Sequence, residues 1–418
     1  MLVTTFQKNF QYYKFCLYGF LKNLRFFEPF LLLFLIDKGT SFTEIGLLIG
    51  LRQIIIIVSE IPSGIIADAI GRRRTLASSF VFYIFSFLIF FFADGFYVYI
   101  IAMLFFAGGD AVRTGVHKAM IFEYLTLKGW EKQKTAYYGH TRGWSQAGTA
   151  ISSLLAGVFV FFSGEFRYIF LLSVVPYLID LVLILSYPKE LEGRMKAQST
   201  TFKQKITEVM RAFWLSVRSA AMLKAMTNNA VHSAYYTSVK DYLQAILQSL
   251  ALALPLYFFF DQKQQTALVV GIGYFFVYMA TSMMSRRSGK FAKRFSDLSK
   301  PLNFTLLAGL IAGIISGIFY QSGFFMVAAL FFVLILLIEN IRKPIGIVYV
   351  AELTDEKAMA SVLSTESQAS SLFAAVFAPC IGFLADQYGL GAGLLIFTSV
   401  LLALMPVYWV SRLQKDRA

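Results

Sequence analysis

Twelve stretches of this chain run for about 20 residues or more with few charges, and most of the connections between them are short. A backbone in hydrocarbon must satisfy its own N–H and C=O groups, so each such run has one economical solution, a helix that crosses a bilayer. The runs lie near 12–37, 43–67, 75–94, 96–126, 135–162, 166–187, 219–245, 266–287, 301–320, 323–350, 358–384 and 390–411. The expected fold class is therefore an all-α integral membrane protein with twelve transmembrane helices. Composition agrees: 57% of the residues are hydrophobic, 15% are charged, and the mean hydropathy is +0.64. A soluble chain of 418 residues would need far more polar surface.

The net charge of +14 invites a nucleic-acid reading, but the positions of the bases exclude it. With the N-terminus placed in the cytoplasm, 25 of the 38 Lys and Arg fall in cytoplasmic segments and three in outer loops. Lys38, Arg167 and Lys263 are those three. This asymmetry predicts both termini on the cytoplasmic side of the cell membrane. Cys16 and Cys380 lie in apolar runs and are read as packing residues with no disulfide. The first run carries Lys14, Lys22 and Arg25 and no small-residue cleavage site, so it reads as a retained helix. Segment 246–260 is apolar but contains Pro255, and is expected to be re-entrant or interfacial. The long connection 188–218 is basic, with Ile206, Val209, Met210, Phe213 and Val217 at helical spacing, which predicts an amphipathic surface helix. It divides the chain into two six-helix halves, 1–187 and 219–418.

Between the second and third runs stands the string 64–74, with the spacing G-x-x-x-D-x-x-G-R-R-R. In that place it resembles motif A of the major facilitator superfamily of secondary transporters. The resemblance spans the chain: twelve runs, a long central connection, and the motif after the second helix. It implies two pseudo-symmetric six-helix halves that rock about a central site lined by helices 1, 4, 7 and 10. It also implies a gating role for Gly64, Asp68, Gly71, Arg72 and Arg73, with Asp68 reaching Arg72 and the start of helix 11 near residues 359–361. A partial copy at 288–295 keeps the glycine and basic residues but has Lys293 where Asp68 stands. A second copy of the first eight positions, at 382–389, lacks the arginines and reads as a plain helix–turn–helix junction on the outer side. The drug-antiporter signature of helix 5 is matched at 139–148 in spacing only, with Trp144 in place of proline.

Charges inside spans are costly and mark function. The bases are Lys22, Arg25, Arg52, Arg113, Lys118, Arg142, Lys224, Lys240, Arg342 and Lys343; the acids are Glu28, Glu60, Asp110, Glu123, Asp180, Asp241, Glu339 and Glu366. Asp110, Arg113 and His117 share a helical face, and Pro29 predicts a kink in helix 1. Arg25, Arg113, His117, Arg142, Asn229, His232, Tyr236 and Asn340 are the expected substrate-binding residues, and their basic balance suits an anion or zwitterion. Glu28, Asp110 and His117 are the candidates for proton coupling. No two histidines have ligand spacing, so neither metal nor cofactor is expected. No Gly-rich phosphate loop or catalytic Ser/His/Asp order points to an enzyme. The expectation is a monomeric, proton-coupled importer or exporter of a small organic anion or zwitterion, embedded in lipid; the alternative is a proton antiporter for drugs or amphiphiles.

Overall fold

A computed structural model describes residues 7–92, 94–192, 207, 219–354 and 359–411, without the side chains at 61, 64, 65, 68, 69, 135, 360 and 361. Among these residues there is no strand. The helices are α1 (Phe10–Lys22), α2 (Leu31–Asp37), α3 (Phe42–Ile70), α4 (Arg72–Phe92), α5 (Phe96–Arg113), α6 (Val116–Leu127), α7 (Lys134–Ser163), α8 (Tyr168–Leu185), α9 (Ala220–Val239), α10 (Leu243–Ala253), α11 (Gln262–Ala292), α12 (Ser299–Gln321), α13 (Phe325–Glu352), α14 (Met359–Tyr388) and α15 (Leu390–Leu404). Ten segments of the described residues are long and apolar enough to cross a membrane, with α5 and α6 counted as one. The first and seventh expected spans correspond to α1 with α2 and α9 with α10, each interrupted partway. The expected amphipathic helix at 202–218 lies almost wholly outside the described residues.

Successive passages reverse direction. The turns at 71, 128–133 and 293–298 therefore share one end, here the basic end, and those at 38–41, 164–167 and 389 share the far end. Glycine ends several helices where the turn requires a positive φ, as at Gly71 (φ +97°) and Gly164 (φ +69°). Ser41 and Asp261 start α3 and α11 with capping boxes that satisfy the first free amides.

Three passages are interrupted. Between α1 and α2, residues 23–30 form turns around Pro29, so the expected kink is a full break. Gln244 of α10 closes it: its Oε1 accepts from Leu32 N–H (2.8 Å), and its Nε2 donates to the Glu28 carbonyl (2.9 Å). Between α5 and α6 stands Gly115, at φ +81°. Between α9 and α10 a 3₁₀ turn carries Lys240 and Asp241. Segment 246–260 is not re-entrant: through Ala253 it is the outer part of the seventh passage, and only Pro255–Phe258 turns away, as 3₁₀ helix. The expected run 219–245 already reaches span length, so the apolar stretch beyond it reads as separate. The copy at 288–295 is helical to Ala292 rather than a loop.

The two halves meet along α3 with α14 and along α7 with α11. At the far end the backbones touch. A Cβ on Gly46 would overlap the Ala378 carbonyl oxygen, and one on Gly157 would fall 2.9 Å from that of Ala267. Toward the basic end α7 and α11 diverge around a cavity of about 770 Å³, lined by Gly139, His140, Arg142, Gln146, Ser285 and Asn340 among others. Among the described residues the two halves thus touch at the far end, and the cavity lies toward the basic end.

Candidate functional site

The helix breaks set charged side chains at mid-depth. Asp110, one turn before the α5 break, is buried among three guanidinium groups. Arg52 Nη2 lies 2.5 Å from its carboxylate, Arg113 Nη2 3.3 Å, and Arg25 Nη2 3.7 Å. Tyr83 donates its hydroxyl to the same carboxylate (2.6 Å) and accepts from Arg113 Nε (2.9 Å). Arg25 and Arg52 also stand over the ring of Phe106. Next to this cluster, Lys240 reaches Glu28 and Asp241, both at 3.6 Å. The expected coupling acids Asp110 and Glu28 are therefore both in ion pairs. Asp110 has the geometry of a fixed counter-ion, because a proton on it would leave three cations without an anion.

Below the cluster, toward the basic end, lies a pocket of about 270 Å³. Its lining includes Lys22, Arg113, His117, Lys118 and Arg142, with Tyr18, Asn23 and Gln146, and no carboxylate among the lining residues. His117 stacks on Tyr18, ring centroids 3.6 Å apart, and its Nε2 lies 3.3 Å from the Tyr187 hydroxyl. The Arg142 side chain is exposed at the junction of this pocket with the larger cavity between α7 and α11.

The second half holds its own pocket, about 240 Å³, lined by Asn229, Ser233, Glu339, Arg342, Lys343 and Glu366 among others. His232 Nδ1 and Ser233 Oγ bind the two oxygens of Glu339, at 2.7 and 2.6 Å. Arg342, buried behind it, is held by Thr305 Oγ1 (3.1 Å), by the carbonyls of Leu302 and Asn228, and by Asn228 Oδ1. Four acceptors leave it little to offer a ligand.

The expected binding residues do not converge on one place. Arg25 and Arg113 join the Asp110 cluster, and Arg113, His117 and Arg142 face the basic pocket. Asn229 lines the pocket of the second half, with His232 just behind it. Tyr236 lies within electrostatic reach of both Lys240 and Glu339. Asn340 lines the larger cavity, its amide turned back to the Leu336 carbonyl (2.9 Å). Arg52, Lys22 and Glu366 were not singled out as site residues. The partner of Arg52, Asp110, lies 58 residues away, and nothing local in the sequence marks the pair.

At the basic end, Arg73 pairs with Glu192 (2.9 Å) and donates to the Tyr187 carbonyl (3.1 Å), while Arg72 lies 3.7 Å from Glu123. These bonds tie the start of α4 to its own half. The surroundings of Gly64, the Asp68 side chain and the expected contact with 359–361 lie outside the described residues. Midway along α3, Glu60 accepts from Ser364 (2.6 Å) and Gln368 (3.1 Å) of α14. At the far end, the junction at 382–389 does more than turn: Asp386 accepts from the Phe42 and Thr43 amides, at 2.9 and 2.7 Å.

Comparison with known proteins gives the same architecture. Over 95% of this chain and 96% of the other, the fold matches the crystal structure of the nucleoside transporter NupG, with a TM-score of 0.72 at 13% identity. It matches a bacterial homologue of the human lysosomal transporter Spinster, solved inward-facing and unoccupied, with a TM-score of 0.69 at 14% identity over 97% of each chain. A D-xylose-proton symporter matches with a TM-score of 0.65 at 14% identity, over 96% of each chain. In sequence, 89 residues are 37% identical to the uncharacterized MFS-type transporter YxaM of Bacillus subtilis (strain 168), covering 21% of this chain and 22% of that one. The Major Facilitator Superfamily profile matches residues 15–365, and the chain, a multi-pass integral membrane protein, belongs to that family of transporters.

Proposed function

We propose that this protein is a secondary active transporter that moves a small organic anion or zwitterion by alternating access, coupled to protons. The observation that carries the reading is the pocket lined by Lys22, Arg113, His117, Lys118 and Arg142 without an acid. Arg113 already has Asp110, but Lys22, His117, Lys118 and Arg142 face the pocket without a carboxylate, which suits an anion from outside the protein. The second-half pocket adds Glu339 and Glu366 beside Lys343, which gives a cationic group of the same substrate a place. Drug-sized amphiphiles would be better served by apolar walls.

With the basic end assigned to the cytoplasm, in keeping with the charge asymmetry, the cavity between α7 and α11 would open to that side. The two halves, 1–187 and 219–418, would rock about the site. Substrate would meet Arg142 first, at the cavity mouth, and then the deeper Lys22 and Arg113.

The test uses purified protein in liposomes that enclose a pH-sensitive dye. Dicarboxylates, sugar phosphates and amino acids should drive a proton flux that Arg142→Gln reduces at least tenfold. Flux with lipophilic cations such as tetraphenylphosphonium, and none with any anion or zwitterion, would refute the reading in favour of amphiphile export.

A further inference from the structure

Asp180 on α8 is fully buried, and neither of its carboxylate oxygens has a hydrogen-bond partner. It lines none of the pockets described above. A carboxylate without donors is costly at this depth unless a proton or a cation neutralises it. The titratable groups facing it are Tyr18 and Lys22 from α1 and Tyr187 from just past α8. α4, packed along α8, has no charge between Thr75 and Phe92, and α7 has none between Gly143 and Ser163. Tyr177, three residues before Asp180 on α8, donates its hydroxyl to the Lys22 carbonyl (3.0 Å), and Lys22, which makes no ion pair among the described residues, lines the basic pocket.

We propose that Asp180 is the proton-binding group of the transport cycle, with Lys22 as the cation that alternates between Asp180 and the substrate. This rests on the anion-transport reading above. With a proton on Asp180, Lys22 is free to hold the anion in the pocket. When the anion leaves, Lys22 turns to Asp180, the carboxyl O–H gives its proton to pocket water, and the resulting carboxylate pairs with the ammonium. One proton then accompanies each anion that Lys22 binds.

Infrared difference spectroscopy on the protein in lipid tests this without any substrate. A carboxylic-acid C=O band should be present in mildly acidic buffer, vanish on alkalinisation, be missing in Asp180→Asn and return, shifted, in Asp180→Glu. In Lys22→Gln it should persist to more alkaline pH. The same bands in Asp180→Asn and wild type would overturn the assignment, and an unchanged titration in Lys22→Gln would overturn the exchange. Anion flux in liposomes that survives either result leaves the transport reading standing, so the two fail separately.

A different observation carries a second inference. Asp386 Oδ1 accepts from the Phe42 amide (2.9 Å), and Oδ2 accepts from the Thr43 amide (2.7 Å) and hydroxyl (2.5 Å). A carboxylate from the second half thus sits on the N-terminus of α3 in the first. Gly382 permits the approach, since a Cβ there would overlap the Phe42 carbonyl oxygen, and Gly389 ends α14 at φ +86°. Each fixed position of the string G-x-x-x-D-x-x-G at 382–389 therefore has a use. The same string at 64–71 lies at the opposite end of α3. We infer that 382–389 is a latch for the far end, which holds it shut while the basic end is open.

Spin labels at Lys38→Cys and Ser322→Cys, one in each half at the far end, would report it by pulsed distance measurement. Asp386→Asn should increase the population at long distance several-fold, and Asp386→Ala further. An unchanged distribution in both variants would overturn the inference. Asn keeps the shape of Asp, so a loss of folding in the alanine variant leaves the asparagine result decisive.

Discussion

At the scale of the residue, the structure separates charges paired within the bundle from charges that face a pocket. Asp110 belongs to the first kind. Asp110→Asn leaves Arg25, Arg52 and Arg113 without their shared anion, and breaking a buried pair of this type costs about 3–5 kcal/mol. The expected outcome is a clearly lower melting temperature of the detergent-purified protein, whereas Arg142→Gln, at an exposed side chain, should melt as wild type. Gly309 makes a subtler case. A Cβ there would fall 2.6 Å from His232 Nε2, so Gly309→Ala should push the imidazole off Glu339 and cost about 1–3 kcal/mol, seen again in thermal melting. The sequence made Asp110 and Arg113 legible as neighbours because they are three apart on one helix. Arg52 and Tyr83 were not legible, because contacts between helices leave no periodic trace in a single sequence. Asp180 stood among the intramembrane acids, but only the packing shows that nothing donates to it.

At the scale of the element, the breaks are the main departure from plain hydropathy. Pro29 announces one of them, yet a proline alone cannot distinguish a kink from the interruption at 23–30. Gly115 marks another by its backbone, since an alanine at φ +81° costs about 1–2 kcal/mol. Gly115→Ala should therefore lower the melting point modestly and loosen the face that carries Arg113 and His117, with a matching fall in anion flux. The seam between α7 and α11 can be tested in the opposite sense. A Cβ on Gly271 would lie 2.9 Å from the Gly157 Cα, so Gly271→Val should hold the far end apart. Thiol labelling of a cysteine placed at Gln264 on that end should become faster, and transport should stop.

At the scale of the whole molecule, the all-helical membrane fold and the family were legible from apolar run length and one motif. Orientation rests on the distribution of Lys and Arg, and it can be checked directly. Lys132→Cys should resist a membrane-impermeant thiol reagent added to intact cells, while Lys263→Cys should react. The cargo is proposed only by its sign of charge, because selectivity depends on which side chains converge from distant parts of the chain. One convergence bears on how the protein is made. Gln244, which completes the backbone bonding of Glu28 and Leu32, follows Leu32 by 212 residues. The opening passage leaves the ribosome long before that side chain exists. Until the seventh passage arrives, its open turn must be kept wet or chaperoned within the translocation machinery, so a fragment ending at residue 187 should be handled by the cell as an unfinished protein.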